Sequence, residues 1–250
     1  MLSDKQFGFL GGRSTVLQLL IVLDKWTEIL DRGGVVDVIY CDFQKAFDTV
    51  PHNRLLEVLY NYGIKDPVLS WIRDFLTNRR HQVAINGKLS SFFETTSGVP
   101  QGSVLGPLLF IIFINVLIEK SNADNLYLYA DDLKLFEDIR EYEDVETMQE
   151  IVDKLYDWTR YSMLKFHPDK CEVMRLTSPR SAGLPVKSFY SMDDIRLNIV
   201  HKEKYLGITF YEILSFEEHI NAKVNKANSL VGMIRRAFVY FDKVTFCYFL

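Results

Sequence analysis

The chain of 250 residues is 48% hydrophobic, which is enough to bury the core of one domain or of two small ones. Its net charge of −4 argues against a strongly basic nucleic-acid-binding module, and its three widely spaced cysteines form neither a disulfide framework nor a zinc pattern. The longest apolar run, 104–118, is too short to span a bilayer, and the N-terminus lacks the apolar core of a secretory signal. We therefore expect an intracellular protein of the cytoplasm or nucleus that is neither secreted nor bound to a membrane.

The charge is unevenly distributed along the chain. Residues 137–157 hold nine acidic and two basic residues, whereas basic residues gather at 73–82 and in the last fifty positions. An acidic solvated face beside a mildly basic remainder allows a polyanionic partner without requiring one.

The first half of the chain alternates helical patterns with one buried strand. Apolar residues at helical spacing behind a Ser/Thr cap predict a helix over 14–31. The β-branched, nearly all-apolar segment 35–43 predicts a strand that is buried on both faces. Two short helices are predicted over 52–62 and 67–78, and the Asn-Gly pair at 86–87 predicts a β-hairpin.

The second half begins with a loop rich in glycine and proline and continues with helices and short strands. The predicted elements, in chain order, are an apolar helix over 107–120, a hairpin around 128–135, an amphipathic helix over 144–164, a strand over 170–176, loops and a short hairpin over 177–199, a strand over 203–210 and a closing helix over 216–240. This order predicts an α+β domain with a mixed sheet.

Two adjacent aspartates interrupt the apolar run LYADDLKL at 128–135. In a continuous strand they would point to opposite faces and bury one charge, at a cost of several kcal/mol. A hairpin with Ala130, Asp131 and Asp132 at its tip lets both carboxylates leave the sheet in the same direction. Asp42 ends the core strand, and carboxylates from two strands at one sheet edge form an oxygen pocket that suits Mg²⁺.

These carboxylates also have plainer interpretations. Asp42 could cap a helix or a turn, and Asp131 with Asp132 could form a surface hairpin tip. Paired carboxylates serve glycosidases, in which one acid needs a raised pKa, as well as two-metal phosphoryl transfer. The aspartates alone leave these chemistries open.

Five segments stand out in order along the chain: YCDFQKAFDTVPHNRLL (40–56), SGVPQGSVLGPLLFIIFIN (97–115), YLYADDLKLF (127–136), LKFHPDKCEVM (164–174) and YLGITF (205–210). They resemble the successive palm motifs of reverse transcriptases from non-LTR (LINE-type) retrotransposons, and QFGFLGGRST (6–15) resembles the fingers motif of that family. The resemblance covers roughly residues 5–240. It implies an α+β, palm-and-fingers polymerase fold with a small antiparallel sheet backed by helices and a truncated thumb.

The resemblance also implies an activity, RNA-directed DNA polymerisation. Such an enzyme extends a DNA 3′-hydroxyl with dNTPs on an RNA template by two-metal phosphoryl transfer. Asp42, Asp131 and Asp132 would be the catalytic carboxylates and, with the backbone carbonyl of Phe43, would bind two Mg²⁺ ions, for which Mn²⁺ could substitute. The implied partners are therefore an RNA template, a DNA primer and dNTPs.

The nucleotide-binding residues implied by the resemblance are Phe43 and five others. Phe47 stands where the family places a steric gate against a 2′-hydroxyl, although it also fits a core aromatic. Gln101 and Gly102 match loop residues that line the incoming nucleotide and the template base, or they form a helix-entry turn. Lys170 and Arg13 would contact phosphates, or they are simply solvated cations.

The chain departs from the family pattern at several points. Leu10 stands where a basic residue is common, and His167 stands where asparagine is common. We expect a single reverse-transcriptase domain, with partial fingers and palm over about 1–210 and the start of a thumb or connecting helix over about 211–250. The upstream fingers segment, an endonuclease domain and most of the thumb would then belong to missing flanking parts of the parent element.

Two other functions remain open at this stage. The chain could be a catalytically weak or inactive retrotransposon-derived remnant that binds nucleic acid or a protein. A metal-dependent phosphohydrolase would use the same carboxylates, but the sequence offers no nucleophile motif for it.

Overall fold

The computed structural model describes residues 2–167, 170–181 and 189–238. The chain divides into two compact units, Met1–Val200 and His201–Leu250. All the residues predicted to bind metal or nucleotide lie in the first unit. None of the helices in the described ranges has the length and apolarity needed to cross a membrane.

The first unit combines helices with one main sheet and several short hairpins. Its helices are α1 (Thr15–Asp31), α2 (Ala46–Thr49), α3 (His52–Asn61), α4 (Val68–Leu76), α5 (Leu105–Ser121) and α6 (Tyr142–Ser162). Its strands are β1 (Val36–Cys41), β2 (Arg80–His81), β3 (Ala84–Ile85), β4 (Lys88–Leu89), β5 (Phe93–Glu94), β6 (Leu126–Tyr129), β7 (Asp132–Asp138), β8 (Glu172–Leu176), β9 (Ser191–Met192), β10 (Ile195–Arg196) and β11 (Asn198–Ile199).

The main sheet has the strand order β11-β8-β1-β7-β6. Its central strand, β1, is buried along its whole length, as its β-branched sequence predicts. It pairs antiparallel with β7 on one side and with β8 on the other. The edge strand β11 runs parallel to β8, so the sheet is mixed, as the order of the elements predicts, with antiparallel pairs among its other strands.

Helices cover both faces of this sheet. On one face, α5 and α6 pack in the same apolar cluster as the sheet residues Leu133 and Leu135, and Phe113 lies 5.9 Å from Trp158 between the two helices. On the other face, Trp26 of α1 packs edge-on against Phe136, with ring centroids 5.8 Å apart. Alternating side chains of β7 therefore pack against two separate helical layers.

Most of the predicted helices and hairpins are found, but the segment 203–210 differs. It was predicted as one strand and forms a hairpin of β12 (Lys202–Tyr205) and β13 (Ile208–Tyr211) in the second unit. Leu206 and Gly207 both have positive φ, and a Leu-Gly pair supports such a turn because glycine tolerates this conformation. The closing helix α7 (Glu217–Ala237) follows, while the end of its predicted range, 239–240, lies outside the described residues.

Candidate active site

The two aspartates of the LYADDLKL segment lie where β6 turns into β7. Tyr129 pairs with Asp132 across the hairpin, so Ala130 and Asp131 form a two-residue turn. Ala130 has a φ of 56°, the positive value that two-residue hairpin turns require at this position. The predicted hairpin is confirmed, but Asp132 is the first residue of β7 and not part of the tip.

Asp42 directly follows β1 and lies beside this hairpin. Cys41 pairs with Leu133, so the same antiparallel register places Asp42 opposite Asp132. Opposite residues of antiparallel strands project to the same face, and the two carboxylates therefore leave the sheet on one side. The carbonyl oxygen of Asp42 accepts a hydrogen bond of 2.8 Å from the backbone N–H of His167, which fixes the chain at this point.

Asp42 lies close enough to Asp131 and Asp132 for its charge to perturb both of them. Burial raises the pKa of Asp131, and the charge of Asp42 raises it further. Burial, followed by the charges of Asp131 and Asp42, raises the pKa of Asp132 to about 6, although part of its surface remains exposed to solvent. Carboxylates that are crowded together and partly desolvated gain free energy by binding a proton or a cation.

Lys170 lies on the other side of Asp42. Its Nζ donates a hydrogen bond of 2.8 Å to Oδ2 of Asp42, and this contact raises the pKa of Lys170. Tyr40 pairs with Glu172, so the β1–β8 register continues to Asp42 opposite Lys170. The predicted phosphate-binding lysine thus lies at the carboxylates, with its ammonium group paired to one of them.

The chemistry of these side chains fits a hard divalent cation. Oxygen ligands with raised pKa values at an open sheet edge are what Mg²⁺ binds. Among residues 2–167, 170–181 and 189–238, however, no three His, Cys, Asp or Glu side chains form a group that could hold a metal ion as they stand. The assignment of Asp42, Asp131, Asp132 and the Phe43 carbonyl as metal ligands therefore stays a prediction.

The aromatic residues after β1 are packed against one another. Phe43 is buried and stacks on Phe166, with ring centroids 4.4 Å apart. Phe47 is partly buried, stacks on Phe110 of α5 at 4.2 Å and meets the ring of Phe9 edge-on at 5.9 Å. This packing agrees with the core interpretation of Phe47, and its incomplete burial leaves the steric-gate prediction open.

The loop before α5 is tied to the segment that carries Phe47. The Val99 N–H donates to the Phe47 carbonyl at 2.8 Å, and the Gln101 side chain donates to Oδ1 of Asp48 at 2.7 Å. Gly102 has a φ of 79°, and no described atom would lie within 4 Å of a Cβ at that position. Gln101 and Gly102 are therefore exposed beside Phe47, where a nucleotide-binding role stays a prediction.

Arg13 has a structural role in the N-terminal segment. Its Nη1 donates to the backbone carbonyls of Ser3, at 2.8 Å, and Gln6, and its guanidinium lies 5.5 Å from the ring centroid of Phe7. The predicted phosphate contact of Arg13 is not tested by this arrangement.

Gln6 is a site residue that sequence reasoning did not single out. It is fully buried, and its side chain hydrogen-bonds the backbone of Ala130, next to Asp131. Gln6 and Ala130 are separated by more than a hundred residues, so no local spacing could have revealed their contact. The nearest signal was the position of Gln6 at the start of the QFGF segment.

The amino-acid sequence of this chain is similar to those of known reverse transcriptases. A family model described as reverse transcriptase (RNA-dependent DNA polymerase) matches residues 1–210. The chain is 29% identical over 247 residues to a probable RNA-directed DNA polymerase from transposon BS of Drosophila melanogaster, with 94% of this chain and 26% of the relative covered. It is 31% identical to the RNA-directed DNA polymerase from mobile element jockey of the same species, with 86% of this chain and 24% of the relative covered. The chain thus spans about a quarter of the length of these curated relatives.

Solved structures of telomerase from Candida tropicalis share the fold. The apo form truncated from its C-terminal domain matches with a TM-score of 0.58 at 13% identity, covering 85% of this chain and 40% of the other. A complex with an RNA fragment matches with a TM-score of 0.59 at 12% identity, covering 85% and 33%. These likenesses confirm the palm-and-fingers fold. The family match over residues 1–210 shows that the chain belongs to the reverse transcriptase family, as its resemblance to non-LTR retrotransposon enzymes predicted.

Proposed function

We propose that this chain catalyses RNA-directed DNA synthesis, in which a DNA 3′-hydroxyl is extended with dNTPs on an RNA template. The observation that carries the proposal is the convergence of Asp42, Asp131 and Asp132 at one sheet edge, where burial and the charge of Asp42 raise the pKa values of Asp131 and Asp132. The names of the relatives, RNA-directed DNA polymerases of mobile elements, support this reaction class.

The three aspartates and the carbonyl of Phe43 would hold Mg²⁺, or Mn²⁺ in its place. When bound, these ions would activate the 3′-hydroxyl and stabilise the charge on the leaving pyrophosphate. The chain's own task is then to present carboxylates in a fixed orientation, since phosphoryl transfer needs positioning and charge more than covalent help. The turn at Ala130 and the end of β1 supply that orientation.

Lys170 would change partners during the reaction. Its side chain is 59% exposed, and its ammonium group pairs with Asp42 in this structure. An incoming triphosphate offers a stronger anionic partner, so Lys170 would release Asp42 as the nucleotide enters and neutralise a phosphate. Both hydrogen bonds of Arg13 use Nη1, which leaves Nη2 for a phosphate of the template or the nucleotide.

Phe47, Gln101 and Gly102 would line the sugar and base of the nucleotide. The Phe47 ring offers a 2′-hydroxyl no hydrogen-bond partner and would occupy the space that the hydroxyl needs. In an active preparation, Phe47→Ala should raise incorporation of ribonucleotides relative to deoxyribonucleotides. Unchanged discrimination would reduce Phe47 to a packing residue against Phe110.

The partners of this function are an RNA template, a DNA primer and dNTPs, at an intracellular site. Within the chain, residues 1–210 would form partial fingers and palm, and 211–250 would begin a thumb or connecting helix. The remaining length of the relatives would supply further contacts to the nucleic acid, as flanking domains of the parent element.

A second candidate is a weak or inactive remnant that binds nucleic acid or protein. Two observations favour it: Asp42 is already paired with Lys170, and the described residues hold no ready-made metal group. If Lys170 does not release Asp42, the carboxylates cannot act together.

Primer extension separates the two candidates. The purified chain is given a DNA primer on an RNA template with dNTPs, and with Mg²⁺ or Mn²⁺. We expect extension that falls at least about 100-fold in Asp42→Asn, because a lost metal ligand removes several kcal/mol of transition-state stabilisation. Asp157→Asn, on the exposed surface of α6, should leave the rate unchanged. Absent extension, or equal rates for Asp42→Asn and the unaltered chain, would contradict the proposed reaction.

A further inference from the structure

The segment preceding α1 runs alongside the hairpin that carries Asp131 and Asp132. The Phe7 N–H donates to the Leu128 carbonyl at 2.8 Å, and the Leu128 N–H donates to the Lys5 carbonyl at 3.0 Å. Gln6 and Leu128 thereby form a parallel bridge at the edge of β6. This N-terminal segment (residues 5–8) reaches the turn where Gln6 and Gly8 meet Ala130.

Gln6 pairs with both backbone groups of Ala130. Its Oε1 accepts from the Ala130 N–H at 3.0 Å and from the Gly8 N–H at 2.7 Å, and its Nε2 donates to the Ala130 carbonyl at 3.3 Å. A carboxamide is suited to this task because it offers an acceptor and donors on one planar group. The Gln6 side chain is 0% exposed, so the hydrogen bonds do not compete with water.

Gly8 lies directly against the backbone of Ala130, where there is no room for a side chain. A Cβ at Gly8 would lie 2.3 Å from the backbone nitrogen of Ala130, closer than any real Cβ approaches such an atom. Any other residue at this position would push the turn away. Ala130 is itself buried at a φ of 56°, a conformation that costs a non-glycine residue about 1–2 kcal/mol.

We propose that Gln6 and Gly8 are positioning residues, which hold Ala130 in the left-handed conformation so that Asp131 and Asp132 leave the hairpin towards Asp42. The inference rests on the proposed function, because it gives these carboxylates a common cation to bind. Neither Gln6 nor Gly8 touches substrate or metal, so both act through the Ala130–Asp131 turn.

A matched pair of variants separates positioning from a general loss of stability. Gln6→Met keeps an unbranched side chain of similar size and removes the three hydrogen bonds. Gln149→Met is the control, because Gln149 binds the backbone of Ser191 in the same way, through Nε2 to the carbonyl at 2.9 Å and through Oε1 from the N–H at 2.9 Å. Ser191 lies in β9, which is not part of the main sheet.

Two measurements on the full chain read the turn directly. Amide hydrogen exchange of Ala130 should become about tenfold faster in Gln6→Met, since a buried N–H loses its acceptor. The dissociation constant for Mn²⁺, followed by the loss of its free electron paramagnetic resonance signal, should also rise about tenfold. Gln149→Met should stay within about twofold of the unaltered chain in both measurements.

Gly8→Ala tests the turn by a second route, with Gln6 intact. Steric displacement of Ala130 should weaken Mn²⁺ binding by a similar factor. If both variants fail to fold, hydrogen exchange of the unaltered chain still tests whether Gln6 holds the turn. Asn86 is the corresponding residue of an exposed two-residue turn. The Ala130 amide must exchange at least about tenfold slower than the Asn86 amide.

Each outcome has a defined meaning. A folded Gln6→Met whose Ala130 exchange and Mn²⁺ affinity match those of Gln149→Met overturns the inference, as does equal exchange of Ala130 and Asn86 in the unaltered chain. If the unaltered chain binds no Mn²⁺ and extends no primer, the proposed function fails, whereas the exchange rates still decide whether Gln6 holds the turn.

Discussion

The β3–β4 and β6–β7 hairpins both turn through two residues, but for different physical reasons. In the β3–β4 hairpin, Asn86 and Gly87 have φ values of 49° and 76°, and both residue types adopt positive φ readily. In the β6–β7 hairpin, only Ala130 has a positive φ, at the position that glycine normally occupies in turns of this pattern. The first turn is encoded locally, whereas the second is imposed by Gln6 and Gly8.

The difference follows from what each turn does. The β3–β4 hairpin is exposed, and no described atom would meet a Cβ on Gly87 within 4 Å. In the β6–β7 turn, Ala130 is buried against Gln6 and Gly8, while Asp131 and Asp132 lie near Asp42. A turn that bears function can violate local preference, provided that tertiary contacts compensate for its strain.

The largest expected effect is a difference in the rate of primer extension between variants of the two hairpin turns. Asp131→Asn should lower primer extension at least about 100-fold, because it removes a charged oxygen ligand from the proposed metal site. Asn86→Asp exchanges the same two residue types in the β3–β4 turn and should leave the rate of primer extension unchanged. Steady-state rates with saturating dNTP would check this, and equal losses in both variants would contradict the assignment of Asp131.

The next effect concerns stability. A β-branched residue is poorly suited to positive φ, so Ala130→Val should destabilise the chain by about 3 kcal/mol through backbone strain and crowding against Gly8. Asn86→Val should cost only about 1 kcal/mol, since its exposed hairpin can deform. Urea unfolding of both variants gives the two values. A smaller loss for Ala130→Val than for Asn86→Val would show that the Ala130 turn is not held under strain.

A pH dependence follows from the raised pKa of Asp132, which is about 6 in the folded chain. Because this value lies above the ordinary carboxyl range, the folded state loses stability as pH rises between about 4 and 6 and the proton leaves. Asp132→Asn should therefore raise the free energy of unfolding at pH 7.5, by at most about 1–2 kcal/mol because solvent screens an exposed group. At pH 4 the gain should vanish.

Chemical unfolding in the presence of a chelator, at both pH values, checks this prediction. A gain of equal size at pH 4 and pH 7.5 would mean that the charge of Asp132 is not the source of the effect.

These two hairpins also show how far the sequence could predict the molecule. Asn-Gly chemistry predicted the β3–β4 turn directly, and the cost of burying one of two adjacent charges predicted the β6–β7 hairpin. The register that sets Asp132 opposite Asp42 agrees with the expected convergence at one sheet edge. Each of these inferences rests on local chemistry or on the period of a strand.

What the sequence could not predict depends on partners far along the chain. The segment 35–43 was predicted as a strand buried on both faces, which also buries Asp37 completely, but the sequence gives no sign of what pairs with this charge. Its carboxylate is bound by Arg175 at 2.7 and 2.8 Å and by the Tyr190 hydroxyl at 2.8 Å, from segments more than 130 residues away. The contacts of Gln6 with Ala130 and of Lys170 with Asp42 were missed for the same reason, since nothing in their spacing signals them.

The smallest expected effect comes from exchanging the residue types of the two turns. Gly87→Ala places a side chain at a φ of 76° and should cost about 1 kcal/mol through backbone strain alone, because no described atom lies within 4 Å of a Cβ at that position. Ala130→Gly relieves a similar backbone strain in the folded state, but it also increases the conformational entropy of the unfolded chain. These two contributions to the free energy of unfolding are each about 1 kcal/mol and oppose each other. Its free energy of unfolding should therefore stay within about 0.5 kcal/mol of the original value. Urea unfolding compares the two variants. If Ala130→Gly raised the free energy of unfolding by more than about 1 kcal/mol, Gln6 and Gly8 would leave much of the backbone strain at Ala130 uncompensated. The two turns would then differ less than their surroundings suggest.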